Sequence, residues 1–310
     1  MIRKTPKIPY EAVDGVLLLD KPTGPTSNTV LQMARRLCRA KKAGHTGTLD
    51  PMASGLLPIC FGEATKFSSF ALDSDKGYLA TICLGVTTDT ADAEGNIICQ
   101  QPADHITESM VLSALSGFMG EIEQIPPMYS ALKYQGKALY EYARQGVEIE
   151  RKVRQVTIYD IQCLSIYLPF VDISVRCSKG TYIRTLAADI GEKLGCGAHL
   201  TALRRDMTAS WQIDQATSFD QMESMSEPRE VLLPVDSLVA HLPRLLLSVD
   251  QARQLYFGQP LARYEKTENI IGDLIRLYVH DNSEGFIGLG RISDDKTLHS
   301  VRLLSRLSEK

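Results

Sequence analysis

Apolar positions near the start of the chain change from a continuous run to a helical spacing. Residues Gly15–Asp20 (GVLLLD) are almost all apolar, and glycine and proline pairs follow at once, which predicts a short buried strand. The spacing after Ser27 predicts a helix with Ser27 as its cap. The apolar stripe of that helix comprises Val30, Met33, Ala34, Leu37 and Cys38.

Strand and helix patterns alternate through the following two hundred or so residues. The predicted elements are strands at Tyr78–Leu84, Val156–Leu164 and Val171–Cys177, and helices around Val111–Met119 and over Tyr182–Leu194. Gly195 is predicted to end the last helix. Residues 43–58 contain three glycines and two prolines and predict an ordered loop.

The pattern changes near residue 247 to short strands separated by glycine turns. The predicted strands are Asp273–Val279, Gly285–Arg291 and His299–Leu304. A small β-rich domain at residues 247–310 is therefore expected after a larger domain at residues 1–246.

Composition is typical of a globular protein, with 44% hydrophobic and 23% charged residues. The longest apolar runs are far shorter than the ~18 residues of a membrane span. No apolar segment follows the basic residues near the N-terminus, so a secretory signal is not expected. The seven cysteines form no CxxC pair, which indicates a reduced, cytoplasmic compartment without a zinc ribbon or disulfide framework.

Charge is distributed unevenly, although the net charge is only −3. Residues 212–240 carry a net charge of −5, so the rest of the chain is slightly basic. Basic residues cluster at Arg35–Lys42, Arg151–Arg154 and Arg204–Arg205. Each cluster is either a solvated face or a phosphate contact, and its sequence leaves both open.

Residues 125–152 combine prolines and glycines with aromatic and basic side chains. The aromatic and basic members include Tyr129, Lys133, Tyr134, Lys137, Tyr140, Tyr142 and Arg144. This composition predicts a mobile lobe, with a short helix ending near Gly146, that can reorder around RNA.

The segment Gly44–Pro58 (GHTGTLDPMASGLLP) is the first candidate for chemistry. Its glycines and prolines constrain the backbone around Asp50, the only carboxylate between Asp20 and Glu63. Such a loop can hold one acid in a defined pose. A turn-forming role for Asp50 and a structural role for His45 remain alternative explanations.

A second candidate segment is Cys177–Leu186 (CSKGTYIRTL). Lys179, Tyr182 and Arg184 alternate there and are predicted to share one side while the chain is extended. An arginine beside Asp50 would keep the aspartate ionised and orient it through a bidentate pair. The alternative is an ordinary solvated strand end.

Four long segments resemble the bacterial TruB family of tRNA pseudouridine synthases. They are GVLLLDKPTGPTS, AGHTGTLDPMASGLLPICFGEATKF, PPMYSALKYQGKALYEYARQGVE and CSKGTYIRTLAADIGEKLGCGAHLTALRR, which together run with gaps over residues 15–205. The resemblance implies an α+β fold with a mixed, largely antiparallel central sheet flanked by helices. Beyond residue 247 the chain resembles, more loosely, the small β-barrel PUA module that binds RNA in many members.

The resemblance also implies roles for residues around a uracil pocket. Asp50 matches the catalytic aspartate, and Arg184 matches the arginine that pairs with it. Tyr78 matches the aromatic residue that stacks on the target uracil. Tyr182 matches a second active-site tyrosine, and Leu203 matches a residue lining the pocket.

Further matches concern support of the site and contact with RNA. Lys21 matches a lysine that supports the active site, and His45 matches a histidine that helps to hold the RNA loop open around the extruded base. Lys66 is expected to contact phosphate. The other expected RNA contacts are Arg36, Arg39, Lys133, Arg144 and Arg151. One departure, Gly77 where a larger residue is often found, affects none of the catalytic roles.

The implied reaction moves uracil from an N1 to a C5 linkage with ribose, at position 55 in the TΨC loop of tRNA. It changes no oxidation state, so no cofactor or metal is expected. A carboxylate suits glycosidic chemistry, and the residues leave open whether Asp50 attacks the sugar, attacks the base or removes a proton. The base must first be flipped out of the folded RNA.

Three other functions remain to be weighed against this one. An RNA-binding module without activity would not need Asp50, Tyr78, Tyr182 and Arg184 together. A small-molecule hydrolase would leave residues 125–152 unexplained. A guide-RNA-dependent relative is disfavoured because the chain has no long basic tail. The expected partner is therefore the tRNA T stem-loop, bound by a monomer without guide RNA or membrane.

Overall fold

Strands outnumber helices in the computed structural model, which describes residues 9–262, 273–281 and 283–305. The strands in chain order are β1 (Gly15–Lys21), β2 (Ala43–His45), β3 (Ser54–Phe61), β4 (Lys76–Leu84), β5 (Val86–Thr88), β6 (Ile97–Gln100), β7 (Gly120–Gln124), β8 (Lys133–Tyr134), β9 (Lys137–Ala138), β10 (Arg154–Tyr167), β11 (Phe170–Cys177), β12 (Ala198–Thr208), β13 (Trp211–Gln212), β14 (Arg244–Leu247), β15 (Leu274–Asp281), β16 (Ser283–Ile292) and β17 (Leu298–Leu303). The α-helices are α1 (Ser27–Leu37), α2 (Ser68–Leu72), α3 (Glu108–Ser116), α4 (Leu139–Ala143), α5 (Ile183–Lys193), α6 (Phe219–Ser224) and α7 (Val249–Tyr256).

The central sheet runs in the order β1-β3-β12-β4-β11-β10-β7, with β2 paired to β3 and β13 paired to β12. Only the β3–β12 pair is parallel; the other pairs in this sheet are antiparallel. This confirms the predicted mixed, largely antiparallel sheet.

Apolar residues on both faces of β1 explain why its sequence is a continuous apolar run. Leu17 and Leu19 face the main core, to which α1, α3 and α5 contribute. Val16 and Leu18 face a second core on the other side of the sheet, together with Trp211. The sheet therefore holds the site rigidly from two sides.

The predicted elements are present, with local corrections. The N-cap of α1 is Thr26, whose hydroxyl accepts a hydrogen bond from the backbone N–H of Thr29 at 3.1 Å. The prediction of Ser27 as the cap is wrong, because its buried hydroxyl instead bonds the backbone of Leu49. Residues 43–58 are also not entirely a loop, since β2 and the first half of β3 lie within them.

The C-terminal strands form a separate four-stranded sheet in the order β14-β15-β16-β17. Its first strand starts at Arg244, close to the predicted boundary between residues 246 and 247. The two units are packed together: Phe67 and Phe286 meet edge to face at 5.5 Å, and Leu289 joins the second core of the larger unit. The small β-rich unit is thus present, and its likeness to a PUA module stays a prediction.

Gly55 marks the closest approach of two strands near the site. Its φ is +106°, and a Cβ there would overlap the backbone carbonyl oxygen of Arg205 on β12. We expect Gly55→Ala to lower the free energy of unfolding by about 3 kcal/mol or more, because strain and overpacking add. Gly195→Ala is the control, since Gly195 also has positive φ (+76°) but open space around it; it should cost about 1 kcal/mol. Equal losses in denaturant titrations would contradict the close-packing argument.

Candidate active site

The loop that contains Asp50 is fixed from below by a buried lysine. The Lys21 ammonium donates to the carbonyl oxygens of Pro22 (2.9 Å), Pro51 (3.3 Å) and Ala53 (2.7 Å). Burial lowers the pKa of Lys21 to about 8, although the negative charge of Asp50 opposes that shift. Lys21 therefore holds the turn directly after Asp50. The sequence had led us to expect a lysine that supports the site at this position.

An ion pair with one hydrogen bond orients the Asp50 carboxylate. Arg184 Nε lies 2.9 Å from Asp50 Oδ2, and Arg184 Nη2 donates to Asp50 Oδ1 at 3.3 Å. The Arg184 side chain is only 4% exposed, whereas that of Asp50 is 33% exposed. The carboxylate is therefore held from one side and open on the other.

The same guanidinium is itself held by three further groups. It lies 3.4 Å from the buried carboxylate of Asp92. It also donates to the carbonyl oxygen of Thr90 at 3.1 Å and to that of Tyr129 at 2.7 Å. The loop containing Asp50, the turn containing Thr90 and Asp92, and the lobe containing Tyr129 therefore all contact Arg184. These contacts leave its side chain little freedom to move.

The charge state of Asp50 reflects two opposing influences. Burial raises the pKa of its carboxyl above the ordinary aspartate value, while Arg184 lowers it and the negative charge of Asp92 raises it again. The net direction is upward. The expectation that Arg184 favours the ionised form is correct, but burial exceeds its effect on the pKa.

A cavity of about 480 Å³ lies beside Asp50. Tyr78 from β4, Tyr182 before α5 and Leu203 from β12 all line it together with Asp50 and Arg184. Burial raises the pKa of both tyrosine hydroxyls, so both are neutral at ordinary pH. Five residues predicted from distant parts of the sequence therefore converge on one pocket.

A second cavity of about 530 Å³ lies on the other side of the Asp50–Arg184 pair. His45 lines it, as does Arg144 from residues 125–152. Burial lowers the pKa of His45, so its imidazole is neutral, and its Nδ1 has no hydrogen-bond partner within the described part of the chain. A larger cavity of about 860 Å³ beside Trp211 contains none of the predicted site residues.

Four residues that hold or line the site were missed by sequence reasoning. Gln124 is buried and clamps the backbone of Tyr182, accepting from its N–H at 3.0 Å and donating to its carbonyl oxygen at 3.3 Å. The Lys76 ammonium bonds three carbonyl oxygens at the end of α2 and forms part of the pocket wall. The other two are Asp92 and Arg205. Arg205 was noted in the sequence only as part of the basic pair Arg204–Arg205, and alternation along a strand puts these two side chains on opposite faces without saying which is buried.

The predicted RNA contacts differ in how free they are. Arg36, Lys133 and Arg144 are exposed. Arg39 instead pairs with Glu11, which also binds Arg229 at 2.8 Å. Arg151 donates to the carbonyl oxygen of Pro126 and pairs with Glu148, at the base of the lobe.

Two other predicted positions lie away from the pocket. Lys66 pairs with Glu63 at 2.8 Å and donates to Leu303 and Ser305 of the C-terminal unit, so it joins the two units. The expectation that Lys179 shares a side with Arg184 is wrong. Lys179 is exposed and pairs with Asp73 at 3.1 Å, because α5 begins at Ile183 and turns Arg184 inward.

Comparisons with known proteins agree along the whole chain. The model of the TruB family pseudouridylate synthase N-terminal domain matches residues 35–183, that of the tRNA pseudouridylate synthase B C-terminal domain matches residues 184–240, and that of the pseudouridine synthase II TruB C-terminal region matches residues 243–304. The tRNA pseudouridine synthase B of Chromobacterium violaceum is 51% identical over 96% of both chains. The chain belongs to the TruB family.

Other relatives support the same assignment. The tRNA pseudouridine synthase B of an Azoarcus species is 56% identical over 84% of this chain and 87% of its own. A chain in the crystal structure of a Cbf5-Nop10-Gar1 complex superimposes with a TM-score of 0.69 at 26% identity, covering 95% of this chain and 85% of that one. The TruB-family assignment makes the chain a pseudouridine synthase by descent and fold, which confirms the predicted family and enzyme class.

The elevated pKa of Asp50 generates a prediction for catalysis by this TruB-family chain. If the ionised carboxylate is required, the rate at saturating RNA should fall on acidification with a midpoint above the ordinary aspartate pKa of 3.8. Asp92→Asn removes a neighbouring negative charge, so it should move this midpoint to lower pH as well as loosen Arg184. Single-turnover rates from pH 4 to 8 would measure both effects.

The control for that profile is Asp89→Asn. Asp89 lies in the same turn, but its carboxylate is exposed and bonds Asn96 rather than Arg184. Asp89→Asn should therefore leave unchanged the pH at which the rate falls on acidification. If the midpoint of the pH profile does not move in Asp92→Asn, or moves equally in both variants, the coupling between the Asp50 and Asp92 carboxylates is contradicted.

Proposed function

We propose that this protein isomerises uridine to pseudouridine in tRNA, acting at position 55 in the TΨC loop. The observation that carries the proposal is the Asp50 carboxylate, held by Arg184 and open to a pocket walled by Tyr78, Tyr182 and Leu203. Two relatives named tRNA pseudouridine synthase B, which are 51% and 56% identical to this chain, support tRNA as the substrate.

The pocket suits a flipped-out pyrimidine nucleotide. Tyr78 offers an aromatic face to the base, and Tyr182 and Leu203 exclude water, which keeps the detached uracil from being lost. Asp50 faces the reacting centre. Attack on the sugar, attack on the base and removal of a sugar proton all require its ionised form, which Arg184 favours.

Charged and aromatic residues of the lobe are proposed to bind the RNA backbone. Lys137 lies over the ring of Tyr142 at 4.7 Å, and Arg144 lies over that of Tyr140 at 5.4 Å. These pairs place cations beside flat aromatic surfaces, a combination suited to phosphates and unstacked bases. Exposed Arg36 offers a further phosphate contact at the end of α1.

The setting proposed for the enzyme is a cytoplasmic monomer that needs no guide RNA. All seven cysteines are free thiols, as expected in a reducing compartment. Within the described residues no helix has the length and apolar character needed to cross a membrane. The catalytic unit is proposed to cover residues 1–246, followed by a PUA-like unit that grips RNA.

The first test of the proposal removes the charge of Asp50. Asp50→Asn should abolish pseudouridine formation while tRNA affinity stays within about tenfold, or ~1.4 kcal/mol. Pseudouridine at position 55 is mapped after incubating unmodified tRNA with each variant. Asp104→Asn, at an exposed position, is the matched control and should be fully active. Turnover by Asp50→Asn, or its absence in the wild type while tRNA is bound, would overturn the proposal.

A second test separates RNA binding from chemistry. Neutralising Lys133 and Arg144 together should weaken tRNA binding and make its salt dependence shallower by about one unit per lost phosphate contact. The rate at saturating tRNA should fall much less than in Asp50→Asn. Lys193→Gln, at the far end of α5, is the control. Unchanged affinity and salt slope in the double variant would mean that these side chains are only solvated.

A further inference from the structure

Among the residues that the structure describes, the largest fully buried side chain is a cation without a carboxylate partner. Arg205 on β12 is only 1% exposed. Among the described residues, no aspartate or glutamate forms an ion pair with it, whereas Arg184 has two such partners and Arg204 pairs with Asp20 at 2.7 Å. Buried charges are normally paired, because desolvating an isolated charge is costly.

The hydrogen bonds of Arg205 satisfy it only in part. Its Nε donates to the carbonyl oxygen of Leu56 at 2.7 Å, and its Nη2 donates to that of Gly47 at 3.3 Å. The guanidinium also donates to the neutral Tyr78 hydroxyl. A guanidinium has five N–H donors. These carbonyl groups orient the side chain, but they supply no negative charge.

The position of Arg205 connects this charge with the reaction. It lines the same cavity of about 480 Å³ as Asp50 and lies directly opposite Tyr78 in the register of β12 and β4. Its positive charge contributes to lowering the pKa of Lys21, His45 and Lys76, after burial in each case. The field of Arg205 therefore reaches across the pocket.

Two buried lysines near Asp50, Lys76 in the wall of this cavity and Lys21 beneath the Asp50 loop, are less suited to stabilise an anion. The ammonium groups of Lys21 and Lys76 each donate hydrogen bonds to three carbonyl oxygens. Burial lowers the pKa of each lysine to about 8. Arg184 is already matched by Asp50 and Asp92. Arg205 is thus the arginine of this cavity whose charge is left uncompensated within the described chain.

Uracil transfer creates the negative charge that the cavity lacks. When the N1–C1′ bond breaks, its electron pair stays on N1 and spreads to the carbonyl oxygens of the ring, while C1′ is left short of that pair. After the base turns, a pair from C5 forms the C5–C1′ bond, C5 loses a proton and N1 gains one. Substrate and product have the same composition, and the anionic base exists only between these two steps.

We infer that Arg205 supplies the positive charge that stabilises the pyrimidine base as it leaves the sugar. This inference rests on the proposed pseudouridine synthase function and adds a group to it. Asp50, oriented by Arg184, takes part in breaking the N1–C1′ bond by whichever of its three possible roles, and Arg205 acts on the departing base. A preorganised cation in a water-poor site stabilises such a charge far better than water does.

The test compares two leaving groups in the same RNA. A tRNA with uridine at the target position and one with 5-fluorouridine there are each incubated with wild type and Arg205→Gln in single turnover. Fluorine withdraws electrons, so the departing base needs less stabilisation. Arg205→Gln should slow loss of the uridine N-glycoside about a hundredfold, and loss of the 5-fluorouridine N-glycoside much less. Chromatography of nuclease digests measures both.

Arg204→Gln is the matched control, since Arg204 is the neighbouring residue but points to the other face of the strand and is 39% exposed. The rate of Arg204→Gln should fall by less than about threefold with either RNA. That is less than the tenfold change to which about 1.4 kcal/mol corresponds. Arg205→Lys retains the charge and provides the comparison if Arg205→Gln does not fold. The rate of Arg205→Lys should fall less than that of Arg205→Gln. Its fall should also be greater with uridine than with 5-fluorouridine.

Each outcome decides the inference. A leaving-group-dependent loss in a folded variant that binds tRNA within about tenfold of wild type supports it. An equal loss with both RNAs would mean that Arg205 only positions Gly47 and Leu56, and an unchanged rate would mean that its charge is not used; either result overturns the inference. Failure of the wild type to form pseudouridine would instead refute the proposed function.

Discussion

Taking a carboxylate and a guanidinium out of water together is the constraint on which the site depends. Arg184 is nearly inaccessible to solvent, so every polar atom of its guanidinium needs a protein partner. Those partners come from three segments remote in the sequence: Asp50 in the loop before β3, Thr90 and Asp92 in the turn after β5, and Tyr129 in the lobe. Satisfying one arginine thereby fixes the mutual positions of all three segments.

The supporting groups follow the same principle with backbone carbonyls instead of carboxylates. Lys21, Lys76 and Arg205 are buried cations that bond main-chain oxygens. Carbonyl groups orient these cations without cancelling their charge, so positive charge remains around the partly exposed Asp50 carboxylate despite the nearby Asp92. Such a field favours the ionised form of Asp50 and any negative charge on a bound base, while burial acts against both.

Local sequence predicted the parts of the site that depend on backbone geometry. Gly55 and its neighbours indicated a constrained segment, and the lone Asp50 within it indicated the carboxylate. The resemblance to a family supplied Tyr78, and it assigned to Asp50 the arginine, Arg184, that the pattern of Cys177–Leu186 had already singled out. Asp92 could not be found in this way, because an acid in an exposed-looking turn becomes functional only when Arg184 reaches it across the fold. Arg205 was hidden for a related reason: burial is a tertiary property, and a basic pair in sequence resembles a surface patch.

One hydrogen bond joins the lobe to the Asp50–Arg184 pair. Tyr129 belongs to the segment whose basic and aromatic residues are proposed to grip RNA, yet its carbonyl oxygen accepts from Arg184 at 2.7 Å. Any displacement of the lobe at this point removes an acceptor from a buried guanidinium, which then depends more strongly on Asp50 and Asp92. The position of the Asp50 carboxylate is therefore coupled to the position of the lobe. RNA bound to the lobe, as proposed above, would keep in place an acceptor that Arg184 already uses.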